Sequence, residues 1–224
     1  MKINFLTLFP KYYDAFINES IISKAVEKRL IEFNVVDWRQ FSNNKQNSVD
    51  DTVYGGGAGM LLMVEPIDKA LATVKGHKIL ISPQGKPYTQ KDAHRLANLK
   101  EITFIAGRYE GFDERVNELV DEVISIGDYI LTNGDIAAVV LADSIIRLVP
   151  NVIRDDSHKN DSFENEGYLD YPQYTKPREY KGMKVPEVLL NGNHKEIENW
   201  RRQQQIEKTK KIRPDIFERI KNEK

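Results

Sequence analysis

Apolar and polar residues alternate through INFLTLF (3–9), which predicts a strand that ends at Pro10. The period then changes. Tyr13, Phe16, Ile17, Ile21 and Ala25 recur at helical spacing, predicting a helix over 12–30. Three short apolar runs follow: KILI (78–81), EITFIA (101–106) and VISI (123–126). Each breaks off at a glycine-bearing polar cluster, at 82–85, 107–111 and 127–134 respectively. Helical stretches are expected between them over 90–99 and 113–119. Strands alternating with helices indicate an α/β fold with a mainly parallel sheet. In such sheets ligands bind beyond the carboxyl ends of the strands, so the three clusters form one site if the strands are neighbours.

Residues 135–148 predict another helix. Asp135 stands as its N-cap after the turn at Asn133-Gly134, and Pro150 ends it. Ile136, Val139, Val140, Ala142 and Ile146 supply its apolar surface. The stretch NVIRDDSHKNDSFENEG (151–167) is polar and irregular and reads as a mobile linker. Residues 168–224 contain two proline-interrupted stretches and a charged helical segment from about Lys195. The expected organisation is thus a first domain over 1–150, a linker over 151–167 and a small, mostly helical C-terminal domain over 168–224.

Charge sharpens this division. Across 224 residues the net charge is only −1, yet 195–224 carries ten Lys/Arg against six acids, leaving the rest at −5. A basic end on an acidic body points to a polyanion partner or to a solvated helix face. The chain has no cysteine, which removes disulfides, thiolate metal sites and cysteine nucleophiles. No apolar run approaches a membrane span, and Met1–Pro10 lacks the basic start and apolar stretch of a signal peptide. A cytoplasmic home fits.

Familiar nucleotide fingerprints are missing. No G-x-G-x-x-G follows the first strand, and YGGGAGM (54–60) lacks the Lys-Ser/Thr ending of a P-loop. Its glycines still require close backbone approach or repeated positive φ, for a ligand, an RNA or a structural turn. The four histidines are scattered, as expected of surface or capping residues, and no G-x-S-x-G elbow supports a serine triad.

Taken together, VDDTVYGGGAGM (49–60), ISPQGK (81–86), AGRYEGFDER (106–115), SIGDYILTNGD (125–135), DSFENEGYLDYPQYTKP (161–177) and WRRQQ (200–204) resemble the bacterial tRNA (guanine-N1)-methyltransferases. The match runs in order over nearly the whole chain. The resemblance implies a trefoil knot in the first domain, a homodimer, S-adenosylmethionine as methyl donor, and tRNA guanosine 37 as target. It leaves room for an assisting Mg2+, although no carboxylate cluster marks a site. It implies a cofactor pocket made of Ser82, Pro83, Gln84, Gly107, Tyr109, Glu110, Ile126, Gly127, Asp128, Tyr129, Ile130, Leu131, Asn133 and Gly134. RNA contacts are expected from the glycine-rich loop, at Gly55, Gly56, Gly57 and Gly59, and from the basic end, at Arg201 and Arg202.

Guanine N1 carries a proton that a base must take as the methyl group arrives, and the charge then pushed onto O6 calls for a cation. By similarity Asp161 is that base and Arg147 the cation. Asp161 lies among Asp155, Asp156, Glu164 and Glu166, and only the DSF match selects it. The resemblance breaks at Ala58, Asn133, Asp135 and Ala137, where the family usually has Pro, Gly, Glu and Pro. Asn133 is expected to survive there by tolerating a left-handed turn, with cofactor affinity the property affected. Two rival readings are a related knotted enzyme acting on another RNA atom and an RNA-binding module without catalysis.

Overall fold

A computed structural model describes residues 1–222 apart from Asn44, Asp155, Asp156, Lys159 and Asn165. The chain begins with β1 (Lys2–Thr7), a 3₁₀ turn at Pro10–Tyr13, α1 (Asp14–Asn18) and α2 (Ser20–Glu27). The helix expected over 12–30 is therefore broken. Glu19 is extended and Ser20 takes φ +58 at the junction, and Ile22 and Ala25 are buried while Ile21 is exposed. β2 (Glu32–Asp37) then pairs in parallel with β1. It is a half-exposed edge strand, which is why its apolar signal is weak.

β3 (Asp50–Thr52) and β4 (Met60–Leu62) form a separate antiparallel pair, with the glycine-rich stretch at its tip. α3 (Val64–Leu71), β5 (His77–Pro87), α4 (Gln90–Ala97), β6 (Glu101–Ile105), a 3₁₀ helix at Glu114–Leu119, β7 (Glu122–Ser125) and α5 (Asp135–Ile146) follow. Five parallel strands lie in the order β2-β1-β6-β5-β7, so the fold is α/β with a parallel sheet.

Strand alternation sends successive side chains to opposite faces, and both are covered. Phe5, Ile79, Ile81, Phe104 and Ile124 share one core with Tyr13, Leu96, Leu141 and Ile145. Leu6, Leu80 and Ile105 join Trp38, Leu62, Ile67 and Val116 on the other. The buried stripe of α5 is Ala137, Ala138, Leu141, Ala142, Ile145 and Ile146. Ile136 and Val140, expected in that stripe, are exposed on the opposite side.

The run at 78–81 does not stop at Ser82. β5 bulges out over 82–85 and returns, so that Ile81 and Lys86 both pair with Ile124. Gly85 permits this, because a Cβ there would lie 2.5 Å from the Ile124 carbonyl carbon.

The chain divides into two compact units, Met1–Ile153 and Arg154–Lys224. The second contains β8 (Glu179–Tyr180) paired with β9 (Met183–Lys184), then α6 (His194–Ile212) and α7 (Pro214–Asn222). Phe163 N donates to Tyr168 O and Asp170 N to Ser162 Oγ, so the end of the 151–167 segment folds back on the first residues beyond it. Among the described residues no helix is long and apolar enough to cross a membrane.

Candidate active site

β6, β5 and β7 are neighbours, so the three glycine-bearing clusters at their carboxyl ends meet. They enclose a cavity of about 330 Å³. Its floor is backbone. Gly134 N donates to Gly107 O at 2.8 Å, tying the start of α5 to the end of β6. A side chain at Gly107 would meet the Phe112 ring, with Cβ only 2.5 Å from its nearest carbon. Tyr109 holds φ +57, a left-handed value that costs a non-glycine residue free energy and turns the 107–111 loop sharply. Gly111 N closes that turn on Arg108 O.

The lip formed by 131–135 is fastened from below. Asn133 is buried, and its Oδ1 accepts from Asp135 N at 3.0 Å and from Ile136 N at 3.3 Å. Asn133 therefore caps α5 with its side chain, and its φ is not positive, so no left-handed turn is needed. Asp135 is not the N-cap expected from the sequence. It lies inside the helix's first turn, is buried, and accepts from the Thr7 hydroxyl and from the Tyr13 hydroxyl at 2.9 Å. Burial pushes its carboxyl pKa up, against those hydrogen bonds and the positive charge of Arg108. Burial and the Asp135 charge in turn hold the Tyr13 phenol well above its usual range.

Of the residues expected in the pocket, Ser82, Pro83, Gly107, Tyr109, Glu110, Ile126, Gly127, Tyr129, Ile130, Leu131, Asn133 and Gly134 line the cavity. Gln84 and Asp128 are exposed and stand outside the lining. Arg108, Phe112 and Thr132 line it as well and were not singled out from the sequence. A cation and a ring inside AGRYEGF were the available signal for the first two. Among the four glycines of the β3–β4 tip, Gly59 lies against Glu110, while Gly55, Gly56 and Gly57 face open space with positive φ.

Arg147 caps the far end of α5 and is not part of the lining. Twelve residues at 1.5 Å each put it about 18 Å along the axis from Asp135. Asp161 belongs to the second unit, in a turn where its N donates to His158 O and its O accepts from Glu164 N. Asp155 and Asp156, and Lys224 of the basic end, lie outside the described residues. In the same unit the Arg201 guanidinium lies 4.7 Å from the Tyr171 ring centre, and that of Arg202 lies 4.8 Å from Tyr168 and pairs with Glu166. Among the described residues no group of three or more Asp, Glu or His is placed to hold a metal ion.

A doubly covered parallel sheet with an apolar, glycine-floored cavity at its carboxyl edge is the frame of an enzyme that takes a small organic ligand. Residues 1–219 match the family described as tRNA (Guanine-1)-methyltransferase TrmD. The chain is 66% identical to the tRNA (guanine-N(1)-)-methyltransferase of Mycoplasmopsis synoviae (strain 53), with both chains covered completely. It is 63% identical to that of Mycoplasmopsis agalactiae, again over both whole chains. It is 51% identical to that of Macrococcus caseolyticus, over 97% of this chain and 92% of the relative. The chain belongs to the tRNA (guanine-1)-methyltransferase family and is a methyltransferase enzyme.

Proposed function

We propose that this chain methylates N1 of guanosine 37 in tRNA, with S-adenosylmethionine as donor, in the cytoplasm. The observation that carries this reading is the meeting of three strand-end loops in one cavity, in a chain of this family. The cavity fits the donor: about 330 Å³ lies within the range of small-molecule sites. Ile126, Leu131 and Tyr109 offer apolar faces for a base, and the glycines at 107 and 134 let backbone approach its edge. When bound, S-adenosylmethionine supplies an electrophilic methyl group on a sulfonium centre.

The chain's own residues then divide the work. Asp161 removes the N1 proton of guanine as N1 attacks the methyl carbon and the donor leaves as its neutral thioether. Arg147 faces O6 and stabilises the charge that develops there. Arg201, Arg202 and the glycine tip at 55–59 hold the RNA backbone. The first unit is the knotted methyltransferase domain and the second the tRNA-holding domain.

The proposal includes a homodimer, supported by features of one chain. Arg147 stands at the end of α5 away from the cavity, and Ile130, Ile136 and Val140 leave apolar side chains exposed at the cavity lip and on α5. A second copy laid against that surface would cover it and bring its own polar residues to the cavity.

Incubation with tritiated S-adenosylmethionine and unmodified tRNA, followed by digestion to nucleosides, tests the reading. N1-methylguanosine at position 37 is the expected product. A different methylated nucleoside, or none, overturns it.

A further inference from the structure

Among the described residues, Arg108 is the one strongly cationic side chain along the cavity wall. Its guanidinium lies 4.2 Å from the centre of the Phe9 ring, which fixes its position. Its Nε is buried, and among the described residues it has no hydrogen-bond partner. Neither do the terminal nitrogens meet a protein acceptor among the described residues; Asp135 acts on Arg108 by charge, while its Oδ1 accepts from Thr7 and Tyr13. A guanidinium carries five donors, and desolvated donors left unmade are costly. The loop bearing it is held in a strained turn at Tyr109, a conformation that needs its surroundings to over-determine it. A fork of donors is thus stacked on a ring in the wall of a ligand cavity and, among the described residues, left without an acceptor.

We propose that Arg108 receives the α-carboxylate of the methyl donor, an assignment that rests on the proposed use of S-adenosylmethionine. A planar guanidinium matches a carboxylate in a two-point pairing that no other side chain offers. The carboxylate is the only anionic group on that donor. Glu110, two residues further on and lining the same cavity, offers the opposite charge to the neighbouring ammonium group. Arg108 is therefore a cofactor-recognition residue that reads the amino-acid end of the donor rather than its adenosine.

Calorimetry on the full-length protein tests this with three ligands: S-adenosylmethionine, its decarboxylated form, and methylthioadenosine, which lacks the whole amino-acid end. The wild type should lose roughly ten- to a hundredfold in affinity when only the carboxylate is removed. Arg108→Gln should bind the first two ligands nearly equally and methylthioadenosine as the wild type does. Arg108→Lys keeps the charge without the fork and should recover part of the preference. A Gln variant that still prefers the carboxylate overturns the assignment. So does a variant that loses methylthioadenosine as well, since Arg108 would then act through its packing on Phe9. Weaker tRNA binding with the carboxylate preference intact would make it a phosphate contact and overturn it equally. A wild type that bound the three ligands alike would remove the role of Arg108 alone. A wild type that bound none of them would remove the proposed donor too.

Discussion

The two units are held together by different physics. Met1–Ile153 buries Phe5, Tyr13, Trp38, Leu96, Phe104 and Ile145 on the two faces of one sheet. In Arg154–Lys224 the described residues that are buried are Thr209, Ile216 and Ile220. The second unit relies instead on ring–guanidinium contacts at Tyr168 and Tyr171, the Arg202–Glu166 pair, and Thr209 Oγ1 accepting from Leu169 N. Apolar packing is non-directional but strong in sum, and shapes a cavity before any ligand arrives. Exposed polar contacts are weak one by one and screened by salt. The first unit is therefore built to be preformed, and the second to present polar groups at little cost in adjusting them.

That contrast breaks most sharply at Asp161. Asp161→Asn should slow single-turnover methyl transfer by about 10²–10⁴-fold, while leaving the thermal midpoint and donor affinity almost unchanged. An equal loss of stability would mean that the carboxylate holds its unit together. Gly107→Val is the counterpart in the packed unit. The added side chain must displace the Phe112 ring, and overpacking of this kind costs about 1–3 kcal/mol. It should appear in denaturant unfolding and weaken donor binding together, and unchanged donor affinity would detach the cavity from the donor.

A smaller effect is expected from Arg202→Ala, which removes a pair and a ring contact that are both substantially exposed. Global stability should change by no more than about 1 kcal/mol. Hydrogen exchange over 162–171 should nevertheless speed up, because these contacts fasten that segment to α6. No change in exchange would assign the stability of the segment to Thr209 and Ile220.

The smallest effect is a slope. Asp135 has a folded-state pKa above its unfolded value because it is buried. The folded form then holds its proton more tightly, so this group's contribution is most favourable below the unfolded pKa and is lost as pH rises through the folded one. Asp135→Asn lacks the titration, so its stability relative to wild type should rise with pH across that window and level off above it. A flat difference would show that the Thr7 and Tyr13 hydrogen bonds cancel the burial.

Local signals in the chain went far where structure is decided locally. The helix of α5, and the strands β6 and β7 that stop two residues short of Gly107 and Gly127, are set within a few residues. Asp135 shows where that reasoning fails. N-cap propensity is a property of neighbours, but its place is set by Thr7 and Tyr13, more than a hundred residues away in the chain. Asn133 fails in the opposite direction, because a residue read as tolerating a turn makes the cap itself. The break between α1 and α2 is carried by two residues, the extended Glu19 and Ser20, with nothing beside them in sequence to announce a positive φ. Arg108 sat inside a recognised motif, and its vacant donors become visible only once Phe9 and Asp135 are folded around it.

The excursion in β5 has one further consequence. Because Ile81 and Lys86 address the same residue of β7, the four residues between them form a spacer of fixed length rather than an ordinary loop. Swapping their chemistry leaves the strand's return intact, apart from Gly85, where no side chain fits. Changing their number by one would turn Lys86 and every later residue of the strand to the wrong face, taking Lys86 away from Asp92 and Tyr88 away from Ser144. Apart from Gly85 and the cavity-lining Ser82 and Pro83, descendants of this gene can vary the letters at that place but not lengthen or shorten the word.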